Sequence, residues 1–526
     1  MDKKKKIFLI TGISFLVLIA IVGGTYAWYI WTTSDSEVTN ITAGVGAATV
    51  TFDGGSDISA TLRPVSDKSK GIVKNISVKG DTTGLVFNMY LDITSIDTGL
   101  KDESFRYELY RGTTKVKEGN FSDSYLTSNT VTCSKNNTNH IVLLTNESIS
   151  TSKTSYTLYI WIDGANYTNP NTMMNKTFSF KLHADGEGAV MIKPPTAAET
   201  ITELYTNAKK ETVQNNSIDY NTAPSVLLMN DRLGGATEDL DGGNIRYYGA
   251  NPNNYIYFNC ETYPDTNCEL WRIIGVFDGK LKLIRNESIG NYSWDNKDGS
   301  TGAESAYGKN DWTTARLMKL LNPRKYYTVD SNDNNLGQSL YYNSASGKCY
   351  SNQRNTTVDC DFTSTGIKKD TTRNMIAETT YYLGGSNIIS IYPNQIYEYE
   401  RGTTVPTGRP TTWKGKIALA YPSDYGYATD LNQCINKQIG SYEDSTCTSN
   451  NWMKAIITNN GGNKGWLLTP YSSNSYGAWI VDSSGNVYNG YLAHYVYGVT
   501  LALYLNSDTK LESGDGSSGN PYKLSV

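Results

Sequence analysis

The sequence predicts a mainly β protein, and three observations carry that prediction. Apolar and polar residues alternate with period two through much of the first half, as in half-buried strands. Asp-Gly and Gly-Gly turns punctuate those runs. The 526 residues include 40 Tyr and 47 Gly but 19% charged residues, a mixture that suits short strands and turns rather than long helical bundles. A chain of this length has room for two or three domains, each with its own core.

The first element is an export segment. Lys3, Lys4, Lys5 and Lys6 precede an apolar run from Ile7 to Val22, followed by Gly23-Gly24 and Thr25-Tyr26-Ala27. A basic start, an apolar stretch and small residues before a cut point are the parts of a signal peptide, here cut after Ala27. If the apolar stretch runs on through Trp28-Tyr29-Ile30-Trp31, about 25 residues are available, enough for an uncleaved transmembrane anchor over residues 7–30. Either way the rest of the chain lies outside the cytoplasm, secreted or at the cell surface. Removal of residues 1–27 takes four Lys and one Asp from 47 basic and 51 acidic residues, moving the formal net charge from −4 to −7. No basic stripe appears, so nucleic acid is not an expected partner.

Seven cysteines fit that exterior. Six fall into near neighbours, Cys260 with Cys268, Cys349 with Cys360, and Cys434 with Cys447. Six cysteines permit fifteen pairings, and sequential local closure is the simplest. Loops this short give about 2.5–3 kcal/mol each in the chain-entropy model. Zinc is a poor alternative for these pairs, which lack C-x-x-C spacing in a chain with three histidines, His140, His183 and His494. Cys133 is left over, free or linked to another chain.

Strand-like segments continue from Val50-Thr51-Phe52 through Gly71–Val78, Leu85–Ile93, Tyr156–Ile162 and Phe178–Leu182. Lys193-Pro194-Pro195 breaks the pattern, and Thr196 with Glu199 forms a capping box opening a short helix with Ile201, Leu204, Tyr205 and Ala208. The domains expected are 1–27, the signal or anchor; 28–193, a β-sandwich; 194–224, a linker with a short helix; and 225–526. In the last, Asp278-Gly279 joins Trp271–Phe277 to Lys280–Ile284 as a hairpin. Later strands are read at Lys416–Ala420, Gly465–Leu468, Ala478–Val481 and Leu501–Leu505. Peripheral helices are read through Ala315–Leu321, capped by Asp311 or Thr313, and through Trp452–Ile456, capped by Asn450 or Asn451.

Two resemblances add to this reading. Gly23-Gly24-Thr25-Tyr26-Ala27, Asn40-Ile41-Thr42-Ala43-Gly44, and Leu62-Arg63-Pro64 before a strand ending Val78-Lys79-Gly80 resemble the TasA/camelysin family over roughly residues 20–190. The resemblance implies an exported, jelly-roll-like β-sandwich that builds biofilm matrix fibres and is processed by a dedicated signal peptidase. Some members are classed as metallopeptidases. Such chemistry needs a pattern like His-Glu-x-x-His, whereas His140 and His183 stand alone in strand-like surroundings, so no metal or cofactor is expected. Asn254–Asn259, Leu270–Gly275, Gly465–Pro470 and Gly514-Asp515-Gly516 with Asn520-Pro521-Tyr522 resemble an uncharacterised exported domain similar to the formylglycine-generating-enzyme/C-type-lectin-like fold. That pattern usually reads Val-Arg-Pro before Ala-Leu-Tyr-Leu, where this chain has Val499-Thr500-Leu501. The implied architecture is a signal or anchor helix, the jelly-roll-like sandwich, then a larger β-rich α+β C-type-lectin-like domain. The cysteines read as staples, so the reactive pair of that fold's enzymes is not carried over.

Ligand binding is placed on the stretch Trp466–Tyr497. Tyr471, Tyr476, Tyr488, Tyr491 and Tyr495, in polar loops with His494, are interleaved with Ser, Asn and Gly, the mixture of rigid contact area and adaptable hydrogen bonds that recognition surfaces use. Trp466 and Trp479 sit in apolar runs and read as core. Asp239, Asp241 and Asn244, and Asp330, Asn332 and Asp333, offer clustered oxygens for calcium, but position twelve of the first cluster is Ala250 rather than Glu, and solvated turns explain both. Glu398 and Glu400 form a possible acid pair for glycoside cleavage, or one exposed strand face beside Arg401. The expectation is therefore no enzyme. It is an exported surface or matrix protein, adhesin-like, with an extracellular glycan or protein ligand and a capacity for self-association. Its alternatives are a pure biofilm-matrix fibre subunit and a secreted glycan hydrolase.

Overall fold

The computed structural model describes residues 48–54, 58, 64–82, 84–132, 139–166, 173, 176–187, 189–192, 195–232, 243–328, 336–459 and 464–525. The signal or anchor over 1–30, the cut at Ala27, Cys133, and Asp239, Asp241, Asp330, Asn332 and Asp333 lie outside these residues. The chain is mainly β, with 41% strand and 17% helix. It divides into two compact units, Met1–Pro194 and Pro195–Val526.

The first unit holds strands β1 (Ala48–Asp53), β2 (Pro64–Val65), β3 (Ile72–Gly80), β4 (Val86–Ile96), β5 (Phe105–Arg111), β6 (Thr114–Asn120), β7 (Thr130–Thr132), β8 (Asn139–Ser148), β9 (Thr154–Asp163), β10 (Phe178–Glu187) and β11 (Ala189–Ile192). One sheet runs β11-β1-β3-β9-β5-β6 with β2 beside β9, and the other runs β10-β4-β8-β7. Both contribute to one core. Phe87 of β4 meets Tyr156 of β9 edge-on, and Phe180 of β10 stacks with Phe105 of β5. Alternation along β4 sends Phe87, Met89 and Leu91 into this core. Asn88, Tyr90 and Asp92 therefore lie on the opposite face of the sheet.

The second unit continues with β12 (Glu211–Asn215), β13 (Ile218–Ala223), β14 (Leu228–Asn230), β15 (Ile245–Tyr247), β16 (Tyr255–Phe258), β17 (Glu269–Phe277), β18 (Lys280–Arg285) and β19 (Asn291–Tyr292). Two two-stranded antiparallel sheets follow, the hairpin β20 (Ser346–Tyr350) with β21 (Thr357–Asp361), and β22 (Thr379–Tyr382) with β23 (Thr412–Gly415), the latter pair separated in sequence by the helix Pro393–Arg401. The last strands are β24 (Ile417–Leu419), β25 (Lys464–Pro470), β26 (Gly477–Asp482), β27 (Val487–Leu492), β28 (Tyr497–Gly498), β29 (Leu501–Tyr504), β30 (Lys510–Ser513) and β31 (Lys523–Ser525). The nine-stranded sheet runs β12-β13-β14-β15-β17-β18-β29-β24 with β16 on β17, and a five-stranded sheet runs β19-β28-β25-β26-β27. Asp278 and Gly279 turn β17 into β18 with φ of 49° and 67°, the left-handed pair that a two-residue hairpin demands.

Three sequence expectations are corrected here. The stretch 194–224, expected as a linker, is built into the second unit. Its helix Ala197–Asn207 carries the capping box and buries Ala197, Ala198, Ile201 and Tyr205, and β12 and β13 join the large sheet. The helices are not all peripheral: every residue of Arg316–Leu321 is buried. That helix begins after Ala315, because the Asp311 carboxylate is spent on a preceding turn, accepting from the Thr313 N–H and O–H.

Disulfides join Cys260 to Cys268, Cys349 to Cys360, and Cys434 to Cys447. They suggest an oxidising, extracellular setting. Among the described residues, no helix is long and apolar enough to cross a membrane.

A buried ionic group ties the sheet to the short helix Pro422–Tyr427. The Arg246 guanidinium donates to Asp231 and, at 3.0 Å, to Asp424, while Lys282 donates to the other Asp424 oxygen. Phe277 and Tyr427 each lie 4.6 Å from that guanidinium. Burial pushes Lys282 down to about 8, and Lys282 and Arg246 hold Asp424 below the usual carboxylate range against its own burial.

Candidate functional site

The five-stranded sheet of the second unit builds a run of aromatic rings. Strands β25 and β26 are buried along nearly their whole length, with Trp466 and Trp479 in the core at 1% and 0% exposure. The half-buried tyrosines lie around them. From one end the ring centroids step from Tyr476 to Tyr307 at 5.4 Å, to His494 at 5.6 Å, to Tyr495 at 4.9 Å and to Tyr497 at 5.8 Å. The run continues to Tyr491 at 6.0 Å and Tyr488 at 6.3 Å. The Lys464 ammonium sits 4.6 Å from the Tyr491 ring centre, a cation–π contact.

Most of the residues singled out in the sequence thus meet. Tyr476, Tyr488, Tyr491, His494 and Tyr495 belong to one run. Tyr471 lies outside it: its N–H donates to the Gly477 carbonyl and its carbonyl accepts from the Asn310 amide. Two placements differ from expectation. Tyr488 and Tyr491 lie in β27, not in loops. His494 is buried at 2% exposure, with no hydrogen-bond partner on Nδ1. Burial holds its imidazole below the usual histidine range.

Tyr307 was not legible as a site residue. It is 46% exposed, against 38% for Tyr495, and these two rings present the most open faces of the run. A lone Tyr in Ser305-Ala306-Tyr307-Gly308, nearly two hundred residues upstream, carries no local signal of its partner. The backbone supplies the link: the His494 N–H donates to the Tyr307 carbonyl at 3.2 Å.

No family model, no curated protein and no solved structure matches this chain. The chemistry of the site therefore rests on its geometry. The run offers ring faces for C–H packing and phenol groups for hydrogen bonding, on a surface rather than in a deep pocket. Two hollows of the second unit, one walled by Tyr292, Arg316 and Tyr350 and another by Trp294, Trp312 and Arg409, have room for little more than a water molecule.

The acid pair Glu398/Glu400 is rearranged. Pro393–Arg401 is a helix, not a strand, with Glu398 exposed and Glu400 fully buried. The Glu400 carboxylate accepts from the Ser423 N–H at 2.9 Å and from its hydroxyl at 2.5 Å, with Arg401 at 3.3 Å. Burial pushes its pKa up to about 7. One carboxyl faces solvent and the other the core, so the two do not flank a common substrate position.

The first unit corrects a second reading, that His140 and His183 stand alone. Strand pairing sets Asp92 opposite His140 of β8 and Tyr90 opposite His183 of β10. His140 Nδ1 lies 2.9 Å from Asp92 Oδ1 and His183 Nδ1 lies 2.7 Å from Asp92 Oδ2. All three residues are buried, and the Tyr90 ring stacks on His183 at 4.6 Å.

Proposed function

We propose that the chain works outside the cell as a surface or matrix protein whose second unit captures a ligand on the aromatic run from Tyr476 to Tyr488. The observation that carries this reading is the continuous set of ring contacts that presents two open faces, Tyr307 and Tyr495, on either side of His494. Tyrosines give large contact area at little rotamer cost, and an extracellular glycan suits them, with its C–H faces on the rings and its hydroxyls on polar neighbours. The three short disulfide loops support the exterior setting.

The finer fold reading belongs to the same proposal. Two sheets on one core support a jelly-roll-like, TasA/camelysin-like first unit that assembles or spaces. The mixed sheets and helices of residues 195–526 support a C-type-lectin-like second unit that recognises.

The experiment is a glycan-array comparison of the secreted chain with its Tyr307→Ala/Tyr495→Ala variant. The reading requires a glycan signal that falls at least about tenfold in the variant, roughly 1.4 kcal/mol of binding. Absence of any glycan signal, or an unchanged signal in a folded variant, overturns it.

A further inference from the structure

We propose that Asp92, His140 and His183 form a divalent-cation site in the first unit, of zinc-binding character. The three residues come from three adjacent strands, β4, β8 and β10, on the sheet face opposite the core. One ligand atom from each lies within 4.8 Å of the other two, and all three side chains are nearly inaccessible, at 5%, 9% and 3% exposure.

The donor set decides the class of ion. Two imidazole nitrogens and one carboxylate oxygen match zinc and similar first-row transition ions. Calcium takes six to eight oxygens, and magnesium an octahedron of oxygens, neither of which this trio supplies. The spacing also fits. Zinc bonds of about 2.0–2.2 Å put neighbouring ligand atoms of a tetrahedron about 3.3 Å apart. His140 Nδ1 faces Asp92 Oδ1 at 2.9 Å and His183 Nδ1 faces Oδ2 at 2.7 Å, so each ring must draw back by about half an ångström to admit an ion between the two rings and the carboxylate. Each neutral ring then keeps its single proton on Nε2. One carboxylate and two neutral imidazoles leave a fourth position for water. Tyr90, stacked on His183 at 4.6 Å and 5.5 Å from His140, restrains both ring planes.

Bound there, the ion cross-links the three strands and stabilises the folded unit by mass action. The three residues belong to the first unit, so the ion's effect on that unit is independent of what the aromatic run of the second unit binds.

The test is titration of the chelator-stripped full chain with zinc chloride alone, read by calorimetry, by metal content after desalting and by thermal unfolding. One zinc per chain and a zinc-dependent rise in the unfolding temperature of the first unit, which holds the three residues, are expected. Calcium at the same concentration should produce neither. In His140→Gln/His183→Gln, the affinity should fall at least a hundredfold. No retained zinc, or equal retention by the variant, overturns the proposal. Because that variant can fail to fold, cobalt(II) titration of the unaltered chain is the second measurement. A tetrahedral spectrum with imidazole nitrogen ligation supports the site, and an octahedral, all-oxygen spectrum overturns it.

Discussion

Tyr307 and His494 stack with their ring centres 5.6 Å apart and their planes 28° from parallel, and the same two residues share a backbone hydrogen bond. The pair fastens the loop before Gly308 to the segment between β27 and β28. It also buries an imidazole that the folded chain disfavours charging. His494 therefore binds its proton less readily when folded than when unfolded. Between the ordinary histidine value of about 6.5 and its lower folded value, the unfolded state holds more protons, so stability falls as pH drops through that window. Histidine NMR titration should place His494 below 6.5, and His494→Gln should flatten this part of the stability profile.

Glu400 runs with the opposite sign. Its folded pKa, about 7, stands above the ordinary glutamate value of 4.5, so its contribution is full below pH 4.5 and is lost as pH rises through 7. The loss is on the order of 3 kcal/mol at one pKa unit per about 1.4 kcal/mol. Glu400→Gln keeps the shape without the ionisation. Denaturant unfolding from pH 5 to 8 should show the slope in the native chain and its disappearance in the variant.

The Asp278-Gly279 turn gives a purely backbone prediction. Gly279 has φ of 67° and open space where a Cβ would stand, so Gly279→Ala meets no clash. The variant should lose about 1 kcal/mol, the left-handed cost for an L residue, seen as an earlier denaturation midpoint with ligand capture intact.

Cys434 and Cys447 are buried and close a loop of sequence separation 13. Cys434→Ala/Cys447→Ala should destabilise the second unit by about 3 kcal/mol through the freed loop of the unfolded chain. Reducing agent, which opens all three bridges, should destabilise the native chain by more than this, and should destabilise the variant by less than it does the native chain.

Much of this architecture was legible because it is local. Tyr156–Ile162 announces its strand by alternation, Asp278-Gly279 its turn and Thr196 with Glu199 its cap. Other strands were passed over although the signal was present: Phe105–Arg111 alternates strictly, and Gly112-Thr113 closes its hairpin with Thr114–Asn120. Glu400 was misread for a physical reason. Tyr397-Glu398-Tyr399-Glu400 imitates period two, while Pro393 at the first turn and buried Ile396 and Glu400, four residues apart, follow the helical period. The Asp92–His140–His183 cluster was beyond sequence reasoning. Its members are 48 and 91 residues apart, and strand register, set by side chains on the other face, brings them together.

The direct test of an exported, oxidised chain is peptide mapping. Protein recovered from outside the producing cell is alkylated without reduction, digested and weighed. Linked peptides Cys260–Cys268, Cys349–Cys360 and Cys434–Cys447 are the predicted result. Recovery of the chain in the cytosol, with all six of these thiols alkylated, would contradict it.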